Sequence, residues 1–138
     1  MNIRYQIGGT IDIDEIIAVY SHNKLSVRRP IHNKQLMQDM INHTDILVTA
    51  WHEMKLVGVS RTVTDFNYVA YIADIVVDEN YQNQGIGKQL IQHTRDELKP
   101  TCYLTLFSAE WADDYYKKLG WERKSLGWKY PPKVNPLL

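Results

Sequence analysis

Two stretches of this chain combine residue types and spacing that could do chemistry. The first is Gln82-Asn83-Gln84-Gly85-Ile86-Gly87, a polar, glycine-bearing run between a strand signal and a helix signal. Glycines allow the backbone to approach a ligand closely, and the first-turn N–H groups of a helix have no partner inside it. Free donors at the positive end of a helix dipole make a site for an anion such as a phosphate. The plainer alternative is that Gly85 and Gly87 only permit a tight turn. No Gly-Lys-Ser/Thr follows, so this is not a P-loop, and no third glycine completes a dinucleotide fingerprint. The second is Asp74, the one acid inside the apolar run Ile72-Ala73-Asp74-Ile75-Val76-Val77. Desolvation there would raise its pKa towards the range of a general base. The alternative is a structural carboxylate bonded to nearby backbone or to Arg61. Strict alternation turns Asp74 away from the side of Ile75 and Val77 unless the strand carries a bulge.

The elements that must position these groups follow from periodicity. Ile3 to Ile7 reads as a strand closed by Gly8-Gly9. Asp12 or Asp14 then caps a helix with Ile13, Ile16, Ile17 and Tyr20 on one face. Arg28-Arg29-Pro30 breaks the chain before a second amphipathic helix carrying Leu36, Met37, Met40 and Ile41. Ile46 to Trp51 and Leu56 to Thr64 form a hairpin, and Tyr68 to Val77 is the longest strand signal, apolar enough to be central. A helix opens at Gly85-Ile86-Gly87, with Ile86, Leu90, Ile91, Thr94 and Leu98 on one face, and stops at Lys99-Pro100. Cys102 to Phe107 is a short strand, Ser108 to Leu119 a helix ended by Gly120, and Trp121 to Tyr130 a last strand region. The order predicts a mixed α/β fold with antiparallel hairpins.

Composition removes several classes. At 138 residues the chain fits one domain, taken as 1–138, with no repeat or linker. Sixteen Lys+Arg against sixteen Asp+Glu leave no basic field for nucleic acid. No apolar run approaches the ~20 residues of a membrane span, and the N-terminus does not open a signal peptide. The single Cys102 cannot form an internal disulfide, which suits a reducing, cytoplasmic setting. The five histidines show no metal-ligand pattern, so no metal is expected.

Val77 to Lys88 resembles the acetyl-CoA pyrophosphate loop of the GNAT superfamily of N-acetyltransferases: Gln or Arg, two residues, Gly, one residue, then Gly or Ala. Asp114-Tyr115-Tyr116-Lys117-Lys118-Leu119-Gly120-Trp121 is similar to the tyrosine-bearing end of that superfamily's fourth helix, and the hairpin Ile46 to Thr64 falls where the family has its second and third strands. Within the superfamily the looser likeness is to the arylalkylamine and plastid serotonin N-acetyltransferase-like branch. It rests on Val57 to Arg61 with Asp65, on Ile72 to Val77, and on the ending Gly127-Trp128-Lys129-Tyr130-Pro131.

The resemblance implies a mostly antiparallel sheet splayed open between its fourth and fifth strands, with flanking helices. It also implies acetyl transfer from acetyl-CoA to a primary amine by direct attack in a ternary complex. The acceptor would be a small arylalkylamine or polyamine, or a protein lysine or N-terminus, and the protein a monomer or homodimer without nucleic-acid or membrane partners. It assigns Gln82, Asn83, Gln84, Gly85, Ile86, Gly87 and Lys88 to the pyrophosphate and Ile75 and Val77 to the pantetheine. A backbone N–H of Ile75 or Val76 would meet the tetrahedral oxygen, and Lys88 and Lys118 would add charge near the phosphates. Exposed lysines are ordinarily just solvated.

Asp74, directly or through water, would take the amine proton, and Tyr116 would donate to the leaving thiolate. The alternative for Tyr116 is core packing, because Ala112, Tyr115, Tyr116 and Leu119 share helical spacing. Tyr20, Trp51, Trp128 and Tyr130 are candidates for an aromatic acceptor mouth, with core packing as the alternative. Lys24, Arg28 and Arg29 form a basic cluster, either a solvated face or a partner for an acidic group on the substrate. One departure stands out. Where the family often has Asn, and the plastid-like branch Asp, this chain has Ala109, with Glu110 beside it as a possible substitute. A non-catalytic acyl-CoA-binding or regulatory module of the same fold is the competing expectation.

Overall fold

The computed structural model describes residues 1–124 and 126–138. β1 (Ile3–Ile7) leads into α1 (Ile13–Ser21) and α2 (Lys34–Asn42). The strands β2 (Ile46–His52), β3 (Lys55–Thr64) and β4 (Val69–Val77) follow, then α3 (Ile86–Asp96), β5 (Tyr103–Leu106) and α4 (Asp113–Lys118). Short 3-10 turns occupy Lys24–Arg28, Glu79–Tyr81 and Glu110–Ala112. The sheet order is β1-β2-β3-β4-β5, antiparallel except for the parallel β4–β5 pair that α3 connects.

Two apolar layers hold the sheet. On one face α1 and α2 bury Ile16, Tyr20 and Met37 against Leu47, Val59 and Val76; on the other, α3 buries Ile86 and Leu90 against Val48, Ala50 and Val57. The helices form where the sequence caps them. The Asp12 carboxylate accepts from the N–H of Asp14 at 2.9 Å, and the Asn33 side chain accepts from the N–H of Leu36 at 3.1 Å.

β4 carries the feature that shapes everything downstream. Arg61 pairs with Asp74 and Thr62 with Ile72, so Ala73 is an extra residue on β4, a bulge. Ala70 packs in the α3 layer, yet Val76, of the same parity, packs in the α1/α2 layer. The bulge switches the faces. Ile75 and Val77 therefore lie on the α3 side and Asp74 on the α1/α2 side.

Two expectations are corrected at the C-terminal end. Trp121 to Tyr130 forms no strand among its described residues, so the sheet stops at β5. The helix expected over Ser108 to Leu119 is a 3-10 turn followed by the six-residue α4. Neither Ala109 nor Ala112 has a side chain that can cap a helix start, and the chain enters the helix only at Asp113. Its end was legible: Gly120 has φ +84°, the Gly120 N–H donates to Lys117 O and the Trp121 N–H to Tyr116 O, a Schellman stop.

Candidate active site

β4 and β5 pair only from Val69–Tyr103 to Ile72–Leu106, after which β4 runs on without β5. The sheet splays there into a cleft of about 360 Å³. Its floor is Ile72 to Ile75 and Val77. One wall is the turn carrying Asn23, Leu25 and Arg29, the other is Leu106 to Ala109 with Trp111, Ala112, Tyr115 and Tyr116, and the loop before α3 closes one end.

That loop end is built of backbone. Asn83 has φ +63° and Gly85 φ +81°, a left-handed pair that reverses the chain just before α3. Gly85 is the N-cap and supplies no side-chain bond, and the first intrahelical bond runs from the Gln89 N–H to Gly85 O. The N–H groups of Ile86, Gly87 and Lys88 are thus left without helical partners. The buried Ile86 side chain pins the turn to the sheet while Gly85 and Gly87 line the cleft. A Cβ on Gly87 would stand 3.2 Å from the Tyr115 hydroxyl, so α4 packs directly against this turn.

Along the floor, strand pairing decides which backbone groups are open. The Asp78 N–H donates to Val57 O at 2.9 Å and Gly58 stands opposite Val77. Antiparallel alternation then turns the backbone groups of Val76 and Asp74 towards β3 and those of Ile75 and Val77 towards the cleft. Val77 O accepts from Asn23 Nδ2 at 2.8 Å and from Gln82 Nε2 at 3.2 Å. Ile75 faces the cleft, whereas Val76 is fully buried on the far face and is corrected as a cofactor contact and as the oxyanion donor. Gln84, Lys88 and Lys118 are exposed, and their side chains lie outside the cleft lining.

The other end is built of charged side chains. Asp74 is buried; its Oδ2 accepts from Arg61 Nε at 2.6 Å and from the Tyr20 hydroxyl at 2.7 Å, and its Oδ1 accepts from Arg29 Nε. Arg29 also donates through Nη2 to Ala73 O at 2.9 Å, using the carbonyl of the bulge residue itself. Burial alone pushes the Asp74 pKa up, but the charges of Arg61 and Arg29 and the Tyr20 hydroxyl bond outweigh it and hold the carboxyl below the usual range. The same cluster drives the Tyr20 phenol well above its ordinary value, through burial first and the Asp74 charge second. The expectation of Asp74 as a general base is therefore corrected. Both of its oxygens are engaged, and its proton affinity is lowered rather than raised.

Tyr116 lines the cleft between Tyr115 and Trp121, with ring centroids 5.3 Å and 5.7 Å away. Burial, and then the neighbouring Tyr115, push its phenol up to about 12, so it remains a hydroxyl donor throughout the physiological range. Ala109 lines the cleft, but Glu110 is exposed and outside it, so Glu110 does not replace the missing polar side chain.

The expected aromatic mouth is not assembled. Tyr20 is fully buried on Asp74; Trp51 is buried in the α1/α2 layer, with Nε1 donating to Thr49 Oγ1 at 2.9 Å; Trp128 and Tyr130 are at least 95% exposed and outside the cleft lining. The aromatic residues on the cleft wall are instead Phe107 and Trp111, with the Arg28 guanidinium 5.1 Å from the Trp111 ring centroid. Sequence reasoning missed Asn23, Leu25, Phe107 and Trp111. A signal existed only for Arg29, in the basic cluster it forms with Lys24 and Arg28.

With the geometry in view, comparison with known proteins is decisive at the level of family. Residues 16–127 match the model of the acetyltransferase (GNAT) domain. The chain belongs to the GNAT family. A GCN5-related N-acetyltransferase 2, chloroplastic, of Arabidopsis thaliana is 35% identical over 79 residues, covering 56% of this chain and 31% of that protein. An uncharacterized N-acetyltransferase, ycf52, of Gracilaria tenuistipitata var. liui is 31% identical over 97 residues, covering 68% of this chain and 53% of its own length. This GNAT chain spans about a third of the length of three of the plant relatives it matches, and 56% of a fourth. The solved GNAT acetyltransferase of Streptococcus pneumoniae superposes with a TM-score of 0.76 over 96% of this chain and all of that one, at 20% identity, and shares the fold.

Proposed function

We propose that this GNAT domain transfers the acetyl group of acetyl-CoA to a primary amine within a ternary complex. One observation carries the reading. A single cleft brings together the start of α3 at Ile86 and Gly87, with unpartnered N–H groups, the open backbone edge of Ile75 and the protonated hydroxyl of Tyr116. The N–H groups of Ile86 to Lys88 fit a pyrophosphate, and the absence of a Cβ on Gly87 lets Tyr115 pack against the turn that presents them. The free edge of β4 suits an extended amide-bearing arm, which pairs with it as a further strand would.

In the reaction the neutral amine nitrogen attacks the thioester carbonyl carbon and a C–N bond forms. Charge gathers on the former carbonyl oxygen, where the Ile75 N–H is the available donor. The C–S bond then breaks, the thiolate leaves, and the proton shed by nitrogen ends on sulfur. With Tyr116 near 12 and a free thiol near ~8.5, outright proton donation from Tyr116 is uphill by roughly 5 kcal/mol. Tyr116 accordingly stabilises the thiolate by a hydrogen bond rather than supplying the final proton. Asp74 is a positioning residue: it ties α1, β3 and Arg29 to the bulge.

The test is acceptor-dependent release of free thiol from acetyl-CoA, with acetyl-CoA binding measured alongside. Binding and release together support the transferase. Binding without release for any amine favours a non-catalytic acyl-CoA-binding module, and no binding removes the loop assignment.

A further inference from the structure

The charged end of the cleft carries more positive than negative charge. Arg29 lines it, and Arg28 reaches over Trp111 on the opposite wall. Asp74 is the only carboxylate among the described lining residues, and it is shared between Arg29 and Arg61. The acids of the α4 side do not offset this. Asp113 is bridged to Arg123 and accepts from Ser108 Oγ, while Glu110 and Asp114 are exposed and outside the lining. On the facing turn Lys24 adds a further exposed cation.

Two consequences follow for the acceptor. A guanidinium has five N–H donors, and Arg29 commits three of them, to Asp74, Ala73 O and Arg28 O, leaving two. Those two, with Arg28, suit a carboxylate. Second, no described group in the cleft is placed to strip an ammonium. The remaining titratable lining groups are the phenols Tyr81, Tyr115 and Tyr116, and the face of Trp111 that would attract a cationic amine is already occupied by Arg28. The amine must arrive neutral.

We infer that the acceptor is the α-amino group of a peptide carrying a carboxylate side chain at or next to its N-terminus, with Arg28 and Arg29 receiving that carboxylate. This rests on the transferase reading above. An α-amino group with pKa near ~7.8 is about one-third neutral at about pH 7.5, against roughly one part in a thousand for an alkylamine near ~10.4. Polyamines and lysine side chains suffer twice, from their own protonation and from the arginines. Trp111 is 48% exposed, so this end of the cleft is open to an incoming chain.

Thiol release by the full chain would be compared for Glu-Ala-Ala-Phe amide, Ala-Ala-Ala-Phe amide, Nα-acetyl-lysine amide, phenethylamine and spermidine. The expected kcat/KM for the Glu peptide is about tenfold above the Ala peptide and on the order of a hundredfold above spermidine, with a pH dependence that tracks the peptide amine. In Arg28→Glu the preference for Glu over Ala inverts, and Arg28→Lys restores most of it. Release with spermidine, phenethylamine or the lysine amide equal to or above that with the Glu peptide overturns the inference and leaves acetyl transfer standing. So does an unchanged Glu-to-Ala ratio in Arg28→Glu. Absence of release with every acceptor overturns both.

Discussion

The two ends of the cleft are made of different material. At the α3 end the working groups are main-chain N–H donors fixed by Asn83, Gly85 and Gly87, and side chains matter mostly by being absent. At the α1 end the working groups are side chains from α1, the turn after it, β3 and β4, gathered on one buried carboxylate. The difference teaches that the first end is specified locally and tolerates neighbours, whereas the second is a network whose members depend on each other.

The largest expected effect separates the ends by stability. Asp74→Ala leaves Arg61 buried without its counter-charge and should lower unfolding free energy by about 3–5 kcal/mol, measured by urea denaturation. Gly87→Ala should leave the unfolding midpoint near wild type yet weaken acetyl-CoA binding by roughly tenfold, because its Cβ meets the Tyr115 hydroxyl and crowds the donors. Equal loss of stability in both variants would erase the contrast. The network end also has a pH signature. The Asp74 carboxyl is held below its unfolded value, so its stabilisation is complete above about pH 4 and is lost as pH falls through the lower, folded pKa. Asp74→Asn should lack that acid limb, which midpoints recorded between about pH 2 and 6 would reveal.

Tyr116→Phe comes next, with a fall of about 10- to 100-fold in kcat and little change in acetyl-CoA affinity, separable by steady-state kinetics and calorimetry. The smallest effect belongs to the exposed tail aromatics. Trp128→Ala should move stability by less than about 0.5 kcal/mol and leave acceptor KM unchanged. A large rise in KM would return Trp128 to the acceptor mouth.

The same contrast explains what could be read in advance. The helices and strands up to β5 follow from periodicity and caps, and the loop before α3 from its glycines, since both signals are local. Asp74 was found, but its chemistry was inverted, because no spacing reveals that Tyr20, Arg29 and Arg61 converge on it from three segments. The last strand failed for a related reason. Trp121 to Tyr130 is aromatic enough to suggest pairing, yet a strand needs a neighbour, and β5 offers its edge to no described residue of that stretch.

Ala73 works as a phase shift in β4. Upstream of it even-numbered positions look towards α3; downstream they look towards α1 and α2. Straightening the bulge with Ala73 kept in regular alternation would transpose the rest of the strand, driving the Asp74 carboxylate into the aliphatic layer under α3 and turning Ile75 onto the arginines, whereas deleting Ala73 would leave every later face as it is and remove the carbonyl that receives Arg29. The inserted residue lets positions of one parity serve one layer before the bulge and the opposite layer after it, while its own backbone, on the cleft floor, holds Arg29.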